Sequence, residues 1–194
     1  AKISAEKQIL MGVGSQRREL ADADARREWQ EIRKQAPKAL LLGNLGIAQV
    51  IRTPVAQVQT LVDTLEAEAL FIHLNPLQEC LQPEGTPEFR GGYGAIESLV
   101  KKLSIPVIVK EVGCGFSKET LQRLFNLGVY SVDVSGLGGT HWGRVEGYRS
   151  GQEDLLFQVA QTFEDWGLST VESLLNAREI DEKIPVWASG GVRD

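Results

Sequence analysis

The chain has 194 residues, 42% of them hydrophobic and 24% charged, which suits one soluble globular core and is short for two full domains. A net charge of −5 excludes a general nucleic-acid binder or a basic membrane-surface protein, though local basic groups can still hold a small anion. Two cysteines without C-x-x-C spacing, no apolar run of about 20 residues and no signal-peptide pattern point to a reducing cytoplasm and to no membrane partner.

In chain order, short apolar runs alternate with helical patterns. Met11-Gly12-Val13 is a weak first strand that ends in Gly14-Ser15-Gln16-Arg17. "GSQR" suits an oxyanion; the competing reading is a solvated turn, favoured by the charge-rich stretch from Arg17 to Arg33. Leu40-Leu41-Leu42 is a second strand, ending in Gly43-Asn44. Thr53-Pro54 offers an N-cap and a Pro at the first helical position, followed by Val58, Leu61, Val62 and Leu65 at helical spacing. The strand Leu70-Phe71-Ile72 runs into "HLNPLQE", residues 73–79, where Pro76 forces a turn. Ile96, Leu99, Val100 and Leu103 mark a helix before the strand Val107-Ile108-Val109, which ends in Lys110-Glu111. Leu121, Leu124 and Phe125 mark another, between a Ser117 cap and a Gly128 stop. The run from Tyr130 to Val134 is a strand that opens into "SGLGGTHW", residues 135–142. Leu156, Val159, Ala160 and Phe163 form a helix ending near Gly167, and a short one covers Val171 to Arg178. Val186-Trp187-Ala188 is the last strand, ending in "SGGVRD", residues 189–194.

Repeated strand–helix units imply a parallel sheet, buried on both faces. Six polar strand ends are too many for the single crevice of a doubly wound sheet. A (β/α)8 TIM barrel collects its site from many strand ends, so the expectation is one barrel domain over residues 1–194.

Each strand end has a plain reading beside a chemical one. Lys110 is a strand end reaching water or an inward cation holding a ligand. "SGLGGTHW" offers backbone N–H groups and two hydroxyls, which can cradle phosphate but recur in ordinary turns. "SGGVRD" sits where a barrel usually keeps its phosphate site. His73 is a satisfied core histidine or a ligand contact, and Asn75, Gln78 and Glu79 favour the second. The Glu79 carboxylate beside Asn and Gln side chains is a hard oxygen set suited to Mg²⁺. With only His73 and His141 as histidines, a multi-histidine metal site is excluded within this chain, and no zinc-protease, nucleophile-elbow or Walker motif occurs.

"MGVGSQR", "GNLG", "HLNPLQE", "PVIVKEVG", "VDVSGLGGTHW" and "ASGGVR", in this order, resemble the type 2 isopentenyl-diphosphate isomerases, FMN-dependent (β/α)8 barrels of isoprenoid biosynthesis. The resemblance implies conversion of isopentenyl to dimethylallyl diphosphate, with reduced FMN acting as acid and base, Mg²⁺ on the diphosphate and NADPH as reductant. It implies flavin contacts at Ser15, Asn44, Lys110, Ser135, Thr140, Gly190, Gly191 and Val192. It implies a diphosphate grip of Ser15, Gln16 and Arg17 with His73 and Asn75 beside them. Gln78 becomes the catalytic side chain near the hydrocarbon end, and Glu79 the metal ligand. Tetramers or octamers are the implied assembly. The strands correspond to the family's second to seventh, so the first and eighth are missing from this chain, and a longer parent protein is the expectation. The alternatives are another flavin barrel of the α-hydroxy-acid oxidase type, with His141 and Arg144 as its pair, or an inactive phosphate-binding fragment.

Overall fold

The computed structural model describes residues 1–151 and 153–193. Its elements run α1 (Lys2–Lys7), β1 (Leu10–Gly12), a 3-10 turn (Gln16–Leu20), α2 (Ala23–Gln35), β2 (Leu40–Gly46), α3 (Ile47–Arg52), α4 (Val55–Leu65), β3 (Ala69–His73) and α5 (Pro76–Leu81). They continue with α6 (Gly92–Lys102), β4 (Val107–Lys110), α7 (Lys118–Asn126), β5 (Ser131–Asp133), α8 (Trp142–Ser150), α9 (Leu155–Thr162), α10 (Thr170–Ile180) and β6 (Val186–Trp187).

All six expected strands are present, hydrogen-bonded in the order β1-β2-β3-β4-β5-β6. Leu10 pairs with Leu40 and Val132 with Val186, both in parallel register. The (β/α)8 barrel expected from sequence is corrected here. Among the described residues the chain forms six parallel strands of an α/β half-barrel, and β1 and β6 stand at the two ends of the order. Closure needs a strand number, tilt and stagger that let the first and last strands pair, and six strands in this order do not supply that pairing.

The chain divides into two compact units, Ala1–Ile72 with Gly91–Ile108, and His73–Arg90 with Val109 onward. In the first unit, Val58, Leu61, Val62 and Leu65 are all buried, as their helical spacing predicts. Thr53 is not their N-cap. The unanticipated α3 ends on it, its hydroxyl donates to the Gln49 carbonyl at 2.7 Å, and Pro54 takes the N-cap position of α4. The charge-rich stretch forms most of α2. Asp22 caps α2 by accepting from the Asp24 N–H at 2.8 Å, and Trp29 and Ile32 pack on a core of Val13, Ala36, Ala39, Leu41 and Leu65. Arg33, only 7% exposed, donates to the carbonyls of Leu65, Ala39, Glu66 and Pro37 at 3.0, 2.8, 2.9 and 3.3 Å. One guanidinium thus satisfies two carbonyls at the end of α4 and two in the link from α2 to β2.

In the second unit, Ser117 caps α7 and Ser169 opens α10 with a full capping box to Glu172. Two glycines, Gly143 and Gly147, are close-packing positions of α8. A Cβ on Gly143 would stand 2.7 Å from Leu77 of α5, and one on Gly147 would stand 2.4 Å from the Ala160 Cβ of α9. Only glycine lets α8 come that near both neighbours.

Candidate functional site

In the second unit, β3 ends in the most connected of the predicted motifs. Pro76 does not make a loose turn. It occupies the first turn of α5, where a missing N–H costs nothing, and Asn75 becomes the N-cap residue. Asn75 therefore lies three and four residues before Gln78 and Glu79 on one helical face. Its Nδ2 donates to Gln78 Oε1 at 3.0 Å and to Glu79 Oε1 at 3.1 Å. Glu79 Oε2 accepts from the Thr86 N–H at 2.6 Å. Glu79 and Asn75 are both buried, and Asn75 Oδ1 is a buried oxygen without a hydrogen-bond partner among the described residues. Such an orphan is costly unless something else meets it. Half-buried His73 closes the strand just before this cluster.

Gln78 is held at both ends of its amide. Its Nε2 donates to Glu146 Oε1 of α8 at 2.9 Å, while its Oε1 accepts from Asn75. Glu146 is 2% exposed and is paired in turn with Arg149, which also reaches Glu84 at 3.2 Å. Sequence reasoning missed Glu146. It stands 68 residues from Gln78, and no local spacing marks it as a partner.

The end of β4 places Lys110 beside two carboxylates. Its Nζ donates to the Glu111 carbonyl at 2.5 Å. Burial pulls the ammonium below its ordinary range, and Asp133 and Glu111 oppose that pull. Glu111, also missed, is almost wholly buried, and burial pushes its carboxyl up to about 7 against the Val112 and Cys114 N–H groups and the Lys110 charge. The Cys114 thiol is pushed up to about 12 by burial and then by Glu111, so it is an inert neutral group at ordinary pH.

The glycine loops meet in the same unit. Gly190 and Gly191 have φ of 95° and 74°, and Cβ atoms there would stand 2.3 Å from the Gly136 carbonyl oxygen and 2.4 Å from that of Gly138. Ser135 takes φ 37°, a left-handed conformation that costs a non-glycine residue about 1–3 kcal/mol and is typical of functional loops. Ser189 Oγ donates to Asp133 at 2.5 Å, and the Thr170 hydroxyl reaches the Ser189 and Gly190 carbonyls at 2.9 and 2.6 Å. Ser135, Gly190 and Gly191 are thus brought together around one backbone junction. Thr140 and Val192 are exposed beside it in sequence, and Asp194, the end of that motif, lies outside the described residues.

His141 and Arg144 do not form a catalytic pair. His141 Nδ1 accepts from the Arg144 N–H at 3.1 Å as the cap of α8, and burial lowers the ring's pKa. Arg144 pairs with Asp165 at 3.0 Å.

The remaining predicted residues lie in the first unit. Ser15 caps the 3-10 turn by accepting from the Arg17 N–H at 3.4 Å, and Arg17 is exposed. Gln16 is 1% exposed, and its amide is engaged throughout: Nε2 donates to Glu19 and to the Leu61 carbonyl, both at 3.2 Å, and Oε1 accepts from the Asn44 N–H at 3.2 Å. Asn44 donates its Nδ2 to the Val13 carbonyl at 2.9 Å.

The donor sets fit the groups the sequence reading implies. Mg²⁺ takes one or two protein oxygens and fills the rest of its octahedron with phosphate and water. Glu79 with the orphaned Asn75 Oδ1 offers that much, and among the described residues no group of three or more His, Cys, Asp or Glu forms a self-sufficient metal cage. Two successive left-handed glycines suit backbone N–H capture of a phosphate. Among the described residues no helix is long and apolar enough to cross a membrane.

Fold and site together define an α/β chain of parallel strands whose C-terminal ends carry amide, carboxylate and ammonium groups. No family model matches it. It is 62% identical over 194 residues to the isopentenyl-diphosphate delta-isomerase of Bdellovibrio bacteriovorus, covering all of this chain and 56% of that protein. It is 56% identical over 184 residues to the protein of that name from Legionella pneumophila strain Corby, covering 95% and 54%, and 48% identical over 194 residues to that of a Synechococcus species, covering 98% and 55%. The chain spans about half the length of the curated relatives it matches. A 3-keto-L-gulonate-6-phosphate decarboxylase from Vibrio cholerae superposes with a TM-score of 0.43 at 12% identity over 96% of this chain and 78% of that one, too loose a likeness to build on.

Proposed function

We propose that the protein isomerises isopentenyl diphosphate to dimethylallyl diphosphate in isoprenoid biosynthesis, as an FMN- and Mg²⁺-dependent enzyme of the type 2 form. The observation that carries this reading is the 62% identity across the entire chain to a protein named for that activity. Reduced FMN, replenished by NADPH, would supply the acid–base pair for the double-bond shift, and Mg²⁺ would neutralise the diphosphate.

The chain's own residues do the rest. Lys110 is a half-buried amine whose positive charge Asp133 and Glu111 favour against the pull of burial, and it would hold an anionic ring system in place. Ser135, Thr140, Asn44, Ser15 and the Gly190-Gly191-Val192 turn would bind the remainder of the cofactor. Ser15 and Arg17 with His73 and Asn75 would hold the diphosphate, the buried Gln16 amide bracing the turn between the first two, and Glu79 would present the metal's carboxylate. The Gln78 amide, fixed by Asn75 on one side and Glu146 on the other, cannot rotate freely, so it would meet the substrate in one orientation. A homo-oligomer, tetramer or octamer, is part of the proposal.

The test is an anaerobic incubation of the purified intact protein with FMN, NADPH, MgCl₂ and isopentenyl diphosphate, followed by product analysis by NMR. Dimethylallyl diphosphate should form only when FMN and Mg²⁺ are both present. Flavin-loaded, reduced protein that forms none overturns the reading.

A further inference from the structure

The three residues implied as flavin contacts in the middle of the chain are Lys110, at the end of β4, and Ser135 and Thr140, in the loop after β5, and one turn touches all three. That turn covers residues 111–115. Lys110 is anchored to it through the Glu111 carbonyl. The Ser135 carbonyl accepts from both the Gly113 and Gly115 N–H groups, at 2.9 and 3.3 Å. Gly113, with φ 127°, lies so close to the next loop that a Cβ on it would stand 2.7 Å from the Thr140 carbonyl oxygen and from His141 Cα. The Val112 carbonyl accepts from the Trp142 N–H at 3.2 Å.

The turn is folded by a single side chain. Glu111 Oε2 accepts from the Val112 N–H at 2.8 Å and from the Cys114 N–H at 3.2 Å, so the carboxylate closes the backbone upon itself. Bonds from N–H groups to an ionised carboxylate are about twice as strong as neutral ones.

We propose that Glu111 is a positioning residue for the cofactor: its side-chain carboxyl folds the 111–115 turn, and the turn sets Lys110, Ser135 and Thr140 as one binding set. The inference rests on the flavin reading above. Around Glu111 stand Lys110 of β4, Asp133 of β5, and the Cys114 thiol, with His141 beyond it at 3.5 Å from Cys114.

The experiment compares the intact wild type with Glu111→Ala, which removes the acceptor, and Glu111→Gln, which keeps one, at a single pH and by two readouts. The first is FMN affinity, read by quenching of flavin fluorescence. The second is hydrogen exchange at the Val112 and Cys114 amides in protein free of flavin. Glu111→Ala should bind FMN severalfold more weakly and lose protection at both amides, and Glu111→Gln should recover most of each. FMN affinity in Glu111→Ala equal to the wild type's overturns the inference, as does equal amide protection. Unprotected Val112 and Cys114 amides in the wild type overturn it whether or not a variant folds. A wild type with both amides protected that binds no FMN overturns the flavin reading, and with it the cofactor role given to Glu111.

Discussion

Gln16 and Gln78 follow comparable strand ends, one in each unit, and their surroundings differ in kind. Gln16 is fully buried and two of its three partners are backbone groups, the Leu61 carbonyl and the Asn44 N–H. Gln78 is half-buried, and its two partners are the side chains of Asn75 and Glu146, themselves linked to Glu79 and Arg149. A side chain that satisfies backbone groups substitutes for secondary structure, and its loss is felt as stability. A side chain held by other side chains is oriented without bracing the backbone, and its loss is felt in what it faces. Arg33 is the extreme of the first kind and Glu79 the neighbour of the second.

The largest effect should come from Arg33→Ala. It strands two carbonyls at the end of α4 and two in the link from α2 to β2, and we expect a loss of about 3–5 kcal/mol in urea unfolding. A loss below about 1 kcal/mol would break the scaffold half of the comparison.

Glu111 tests whether the second unit's buried charges cost stability. Its carboxyl titrates near 4.5 when unfolded and about 7 when folded, so between these values the folded state holds a proton that the unfolded state has released. Stability should therefore fall as pH rises from about 4.5 to about 7, by on the order of 3 kcal/mol, and level off above. In Glu111→Gln this part of the slope should vanish. Parallel stability–pH curves for the two proteins would show that the carboxyl does not titrate in that window.

Gln78→Ala should lower turnover about a hundredfold, equivalent to about 2.7 kcal/mol of transition-state stabilisation, with a melting temperature close to the parent's. Circular dichroism melts beside steady-state rates decide it. A variant that melts far below the parent would place Gln78 with Gln16.

Gln16→Ala should cost about 2 kcal/mol of unfolding free energy, because Asn44 N–H and the Leu61 carbonyl lose a buried partner. If the denaturation midpoint stays put while the KM for the diphosphate rises, Gln16 is a ligand group first and a brace second.

Much of this molecule is legible one segment at a time. The six strands announce themselves because continuous apolar runs have no other way to be buried, and α4, α6, α7 and α9 because their apolar residues repeat at helical spacing. The Ser117 cap and the left-handed Gly128 are local chemistry, read correctly as such. Residues 73–79 were legible as a cluster, though Pro76 starts a helix where a turn was expected, since proline suits both a break and a first helical turn. The strand expected from Tyr130 begins at Ser131, with Tyr130 itself 61% exposed.

What the tertiary structure alone decided is who meets whom. Gly143 and Gly147 show no packing role until the fold brings Leu77 and Ala160 to within 2.7 and 2.4 Å of where a Cβ on each would stand. Glu146 looks like a surface charge until Gln78, 68 residues away, donates to it. Glu111 looks like an ordinary strand-end acid until its own turn closes over it. The barrel, too, was inferred from a pattern of strand ends, and that pattern is the same for six strands of a half-barrel as for eight that close. Composition and periodicity report what each segment needs to bury. Partners, burial of charge and sheet closure depend on distances between segments, and those exist only once the chain is folded.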